Sequence, residues 1–127
     1  ALLSAITAPM CVVSNGPNNK MQHSMGKLNM LHYFPDKLFS GYDIQRWKPD
    51  PALMFHAAKA MNVNVENCIL VDDSVAGAQS GIDAGMEVFY FCADPHNKPI
   101  VHPKVTTFTH LSQLPELWKA LGWDITA

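Results

Sequence analysis

Three short polar clusters carry most of the chemistry this chain offers. The first, Ser14-Asn15-Gly16, closes the apolar run 10–14. A hydroxyl at a strand end, followed by backbone N–H groups where the chain turns into a helix, makes a cradle for a phosphate or another oxyanion. Taken alone, the same residues also describe an ordinary turn. The second is Trp47-Lys48-Pro49-Asp50-Pro51, where two prolines stiffen the backbone after Lys48 and would aim its ammonium at a fixed point. The plain alternative is a solvated lysine ahead of a capped helix. Arg46 stands beside it, and nothing in the sequence decides whether it faces the same crevice. The third is Asp72-Asp73-Ser74, directly after Ile69-Leu70-Val71. Two adjacent carboxylates at the end of a buried strand repel each other and lose hydration, a combination that a divalent cation relieves, and hard oxygen ligands favour Mg²⁺ over a soft metal. Compensation of a helix dipole accounts for one acid there, though hardly for two. In chain order the clusters supply an anion cradle, a fixed cation and a metal-binding acid pair, which together make a site for phosphoryl transfer.

Such a site needs elements that bring the three clusters together. Short apolar runs alternate with longer amphipathic ones, the pattern of βα units around a parallel sheet, so the fold class is α/β and Rossmann-like. In such sheets ligands bind outside the carboxyl ends of the strands, where all three clusters fall. The run 10–14 has no polar alternation and suits a strand buried on both faces. After it, Met21, Met25, Leu28 and Leu31 mark one face of a helix that Pro17 opens, and core packing is the simple reading of that stripe. Residues 37–41 form a short second strand. Asp50 as N-cap and Pro51 as first helical residue open a helix through Met61. Residues 67–71 are the most apolar strand. Ser74 caps a helix through Ala84 that Gly85 ends, followed by a strand over 86–91 and a Pro-containing loop over 93–103. A strand at 105–108 and a helix around 115–121, packing Leu117, Trp118 and Leu121 and stopped by Gly122, complete the chain. No repeat or linker appears, and 127 residues fit one domain.

Composition narrows the function classes. Nine basic and eleven acidic residues give a net charge of −2, and the basic ones are scattered, which speaks against a nucleic-acid groove. The chain is 48% hydrophobic, too apolar for a disordered tail. No run reaches the length of a membrane span. Cys11, Cys68 and Cys92 are odd in number, far apart and each in an apolar run, so they read as buried, reduced thiols of a cytoplasmic protein. The six histidines lack the company a zinc site requires. The chain opens Ala1-Leu2-Leu3-Ser4 with no Met, basic n-region or cleavage site, and so reads as the inside of a longer protein.

With these residues in place a resemblance can be stated. Val13-Ser14-Asn15-Gly16, Lys48-Pro49-Asp50-Pro51, and Val71-Asp72-Asp73-Ser74-Val75-Ala76-Gly77 with Asp83-Ala84-Gly85-Met86 resemble the second, third and fourth motifs of the haloacid dehalogenase superfamily. The last stretch is especially similar to the branch that contains β-phosphoglucomutase and small sugar-phosphate phosphatases. The resemblance implies a Mg²⁺-dependent phosphatase acting on a small phosphorylated metabolite, a sugar phosphate or sugar-acid phosphate. It implies that Ser14, with the backbone of Asn15 and Gly16, holds the transferring phosphoryl oxygens, and that Lys48 neutralises phosphate charge and steadies a nucleophilic aspartate. Asp73 would be the direct Mg²⁺ ligand, with Asp72 a ligand through water or an orienting acid.

The superfamily's first motif, Asp-x-Asp-Gly, occurs nowhere from Ala1 to Ala127. It supplies the aspartate that forms an aspartyl-phosphate and the second aspartate that acts as general acid and base. Asp36, Asp43, Asp50, Asp83, Asp94 and Asp124 stand in the wrong context to substitute. The expectation is therefore the carboxy-terminal part of one core domain, lacking its central strand and its helical cap and inactive by itself. The strands ending at Ser14 and Asp73 would flank an unfilled place in the sheet, to be filled by the amino-terminal segment or by another chain. A phosphosugar mutase of the same superfamily is one alternative. Another is a non-catalytic receiver-like module, against which the order of Ser14, Lys48 and the acid pair argues.

Overall fold

The computed structural model describes residues 6–27, 37–92, 100–123 and 125. In chain order the strands and α-helices are β1 (Val12–Ser14), α1 (Asn18–Lys27), β2 (Leu38–Ser40), α2 (Gly41–Ile44), α3 (Ala52–Ala60), β3 (Ile69–Asp72), α4 (Val75–Ala84), β4 (Glu87–Phe91), β5 (Val105–Phe108) and α5 (Leu114–Ala120). All strand pairing among them is parallel.

The strands form two sheets. One is β1-β2, with Val12 opposite Leu38 and Ser14 opposite Ser40. The other is β3-β4-β5, with Asp72 opposite Tyr90 and Phe91 opposite Phe108. Among the described residues no ladder joins β1 to β3, so each is an edge. This is the break expected of a sheet without its central strand.

The β4 strand shows why its sequence reads as unbroken apolar. Val88 and Tyr90 pack with Ala78 of α4 on one face, while Phe89 packs with Phe108, Leu114 and Trp118 on the other. A strand covered on both faces has no use for polar alternation. Helix α3 couples the sheets: Met54 joins Ala84 and Met86 in a cluster that takes Val13 from β1 and Leu70 from β3. Met21 of α1 and Leu38 enclose Met10 and Val12 on the other side of β1.

Several expectations need correction. The β1 strand is half-buried rather than buried on both faces, and Val71 in the middle of β3 is 41% exposed, because each strand is unpaired along one side. Pro17 lies just before α1 rather than within it, its carbonyl accepting from Lys20 and Met21. Met21 is buried as expected, whereas the Met25 side chain, Leu28, Leu31 and most of the 93–103 loop lie outside the described residues. Pro51 rather than Asp50 occupies the N-cap of α3; Asp50 still serves the helix end, its Oδ1 accepting from the Ala52 N–H at 2.9 Å. Leu121 is exposed, since it follows the last turn of α5. The three cysteines are half-buried rather than buried. Burial, then Cys68, pushes the Cys11 thiol up to about 11, partly offset by Lys37. Ser74 capping α4 and Gly85 ending it with φ 88° are as the sequence indicates. Among the described residues no helix is long and apolar enough to cross a membrane.

Candidate functional site

Ser14 ends β1, and its Oγ accepts the N–H of Gly16 at 3.0 Å. Because that bond uses an oxygen lone pair, the hydroxyl proton is left to donate, and it has no acceptor among the described residues. The next residue turns its side chain to Lys48. Asn15 Oδ1 accepts the Lys48 N–H at 2.8 Å, and Asn15 Nδ2 donates to the Lys48 carbonyl at 3.2 Å. Both backbone polar groups of Lys48 are thus held by one amide, just before the cis Lys48-Pro49 bond.

From that fixed backbone the Lys48 side chain crosses between the sheets. Nζ lies 3.0 Å from Asp72 Oδ2 at the end of β3 and 3.4 Å from the Val13 carbonyl on β1. The Lys48 and Asp72 side chains are only 10% and 11% exposed. A half-dry ion pair of this kind needs its remaining polar capacity satisfied. Asp72 Oδ1 accepts from both the N–H and the hydroxyl of Ser74, each at 2.9 Å, and Ser74 Oγ accepts from the Gly77 N–H at 3.0 Å. Gly77 is required here: a Cβ at this position would run into the Asp72 carboxylate.

The two adjacent acids are therefore unlike. Asp72 is engaged by Lys48 and Ser74, whereas Asp73 is exposed and has no partner among the described residues. Lys48 offsets one of the two negative charges and leaves the other. An open carboxylate beside a fixed one fits a hard cation that keeps most of its water and takes only one or two carboxylates. No cluster of three or more His, Cys, Asp or Glu side chains forms among the described residues. Behind the acid pair, Tyr90 is fully buried in register with Asp72, and burial first, then Cys92, Asp73 and Asp72, pushes its phenol above the usual range.

The structure thus brings Ser14, Asn15, Gly16, Lys48 and Asp72 to neighbouring strand ends in two hydrogen-bonded sets, Ser14 with Gly16 and Asn15 with Lys48 and Asp72, and Asp73 follows Asp72 in the chain. Arg46, left open by the sequence, pairs with Asp50 on the surface at 3.1 Å. The Asn15 side chain is the contribution that sequence reasoning missed. Its partner stands 33 residues away, and no local spacing signals the contact.

The model of the haloacid dehalogenase-like hydrolases matches residues 1–85. This chain belongs to that family. Its α/β Rossmann-like core with parallel strands is the fold of these hydrolases, an enzyme family. The chain is 99% identical over all 127 residues to a 6-phosphogluconate phosphatase from Escherichia coli, and covers 58% of that protein. It also superimposes on a conserved haloacid dehalogenase-like protein of unknown function from Agrobacterium tumefaciens, with a TM-score of 0.82 and 26% identity, over 94% of this chain and 57% of that one. A family hydrolase from Deinococcus radiodurans with bound phosphate and sodium shares the fold at a TM-score of 0.77 and 21% identity, over 93% of this chain and 55% of that one. The chain thus spans little more than half the length of these haloacid dehalogenase-like relatives.

Proposed function

We propose that this chain is the carboxy-terminal part, residues 1–127, of the core domain of a cytoplasmic, Mg²⁺-dependent phosphatase in the β-phosphoglucomutase-like branch. Its substrate is a small sugar phosphate or sugar-acid phosphate, with 6-phosphogluconate favoured by the E. coli relative. The observation that carries the reading is the reach of Lys48, whose ammonium contacts Val13 on β1 and Asp72 on β3. One cation spans the two strand ends between which the resemblance puts the strand bearing the nucleophile. That strand comes from the amino-terminal segment or from another chain.

In this reading the Ser14 hydroxyl and the backbone of Asn15 and Gly16 hold the phosphoryl oxygens. Lys48 neutralises charge on them and keeps the incoming nucleophilic aspartate ionised and in place. That aspartate attacks phosphorus and expels the sugar alkoxide. Its Asp-x-Asp companion protonates the leaving oxygen, then takes a proton from the water that cleaves the aspartyl-phosphate. Asp73 would hold Mg²⁺ directly and Asp72 would orient it through water or through the Lys48 contact. The bound ion supplies charge neutralisation at the transferring phosphoryl group. Since no Asp-x-Asp occurs in the chain, it is inactive alone.

A panel of phosphorylated sugars and sugar acids, assayed with the full-length protein and Mg²⁺ for both phosphate release and isomerised sugar phosphate, tests the reading. Phosphate release strongest from 6-phosphogluconate, and lost with EDTA, is expected. Isomerisation without phosphate release would assign a mutase instead.

A further inference from the structure

Ser40 is a fully buried polar residue at the end of β2, directly opposite Ser14. Its N–H donates to Asp43 Oδ2 at 2.9 Å and its Oγ accepts from the Tyr42 N–H at 3.1 Å, which together cap the short helix α2. A cap uses the hydroxyl only as an acceptor. The hydroxyl proton goes elsewhere: Ser40 Oγ donates to the Gly16 carbonyl at 2.6 Å, a short bond to a residue 24 positions away.

The chemistry of that carbonyl gives the bond its meaning. The peptide unit between Gly16 and Pro17 has an oxygen but no N–H, because residue 17 is proline. Turned toward an anion, an ordinary peptide unit can present either end of its dipole, but this one can present only a repelling oxygen. Glycine at position 16 also leaves the backbone more torsional freedom than another residue would. We propose that Ser40 is a positioning residue for the anion cradle. It ties the Gly16 carbonyl inward, away from the phosphoryl space, and so leaves the Ser14 hydroxyl and the Asn15 N–H as the groups an oxyanion meets, the Gly16 N–H being held by Ser14 Oγ. This rests on the phosphatase reading and adds to it the device that keeps the cradle electropositive.

The test uses Ser40→Ala, Ser40→Thr and Asp43→Ala in the full-length context that the E. coli relative provides. The readouts are the inhibition constant of inorganic phosphate, the thermal midpoint, and turnover of p-nitrophenyl phosphate. Ser40→Ala is expected to weaken phosphate binding about five- to tenfold, the effect of one good hydrogen bond. Ser40→Thr, which keeps the hydroxyl, stays within about twofold of wild type on the same scale. Asp43→Ala loosens the same helix cap without touching the Gly16 bond, so it lowers the midpoint and leaves phosphate binding unchanged. Should the alanine variant not fold, Ser40→Cys keeps the volume while weakening the donor and carries the same comparison. Unchanged phosphate binding in Ser40→Ala, or an equal loss in Asp43→Ala, overturns the inference while wild-type turnover leaves the phosphatase reading standing. A wild-type protein that neither binds phosphate nor hydrolyses the ester removes both.

Discussion

Asn15 and Lys48 satisfy each other: the Asn15 amide accepts from the Lys48 N–H at 2.8 Å and donates to the Lys48 carbonyl at 3.2 Å. The residue after Ser14 thus fixes the backbone from which the lysine reaches across the sheet break. Asn15→Ala is expected to lower turnover of the full-length enzyme about tenfold and stability by about 1 kcal/mol, since the two bonds lie where water can replace them. Asn15→Asp keeps the acceptor and loses the donor, and should fall between. Steady-state kinetics with urea denaturation separates the two effects; wild-type kinetics in Asn15→Ala would show that the clamp does not position Lys48.

Lys48→Ala leaves Asp72 without its ion-pair partner at a position that is 11% exposed. Removing one member of such a pair costs about 3 kcal/mol, and turnover should vanish. Lys48→Met, which keeps the length of the stem, should recover part of the packing but none of the activity. Urea melts of the three proteins check the first statement and phosphate release the second.

The proposed function gives Asp72 and Asp73 different roles. Asp73→Asn is expected to raise the Mg²⁺ requirement at least tenfold with little change in stability, because Asp73 is exposed and unpartnered among the described residues. Asp72→Asn should do the reverse first, lowering the melting midpoint by disturbing Lys48 and Ser74. Activity titrated with Mg²⁺, set beside thermal melts, distinguishes them; equal effects on both readouts would contradict the assignment.

Gly77 and Gly81 lie one turn apart on α4 and offer a contrast. A Cβ at Gly77 meets the Asp72 carboxylate, and one at Gly81 meets Leu70 and Val88 side chains at 2.7 and 2.8 Å. Both alanine variants should lose about 1–3 kcal/mol to overpacking despite alanine's better helix propensity. Only Gly77→Ala should also lose most of its activity, which kinetics on the two folded variants would establish.

The half-buried thiols give a pH signature. Cys11 is pushed up to about 11 by burial, with Cys68 the next cause, and burial raises Cys68 as well. Between the unfolded thiol pKa of about 9 and the raised native values, the folded state binds more protons than the unfolded one, so stability falls as pH rises through that window. Melting midpoints should therefore be flat near neutrality and decline above about pH 9. Cys11→Ser should flatten that decline, and an equal decline without the thiol would refute its part in it.

The sequence exposes much of the fold because most elements carry their own signals. Ser74 and Gly85 mark the ends of α4, and the uninterrupted apolar residues of β4 follow from its two covered faces. The three polar clusters were legible for the same reason, each standing where a strand stops or a helix starts. What was not legible depends on long-range geometry. The Asn15 clamp and the Ser40 bond to Gly16 join residues 33 and 24 positions apart. Likewise, an apolar run signals a buried strand, but cannot show that β1 and β3 each lack a neighbour on one side.

In the proposed function, Ser14, Lys48 and the acid pair form a phosphatase site that waits for an aspartate carried on a further strand. Hydrolysis of p-nitrophenyl phosphate with Mg²⁺ tests it most directly, comparing the rigorously purified 127-residue chain with the full-length protein. The expected result is Mg²⁺-dependent turnover by the full-length protein and none above the blank by the chain. Sustained turnover by the chain alone would contradict the account.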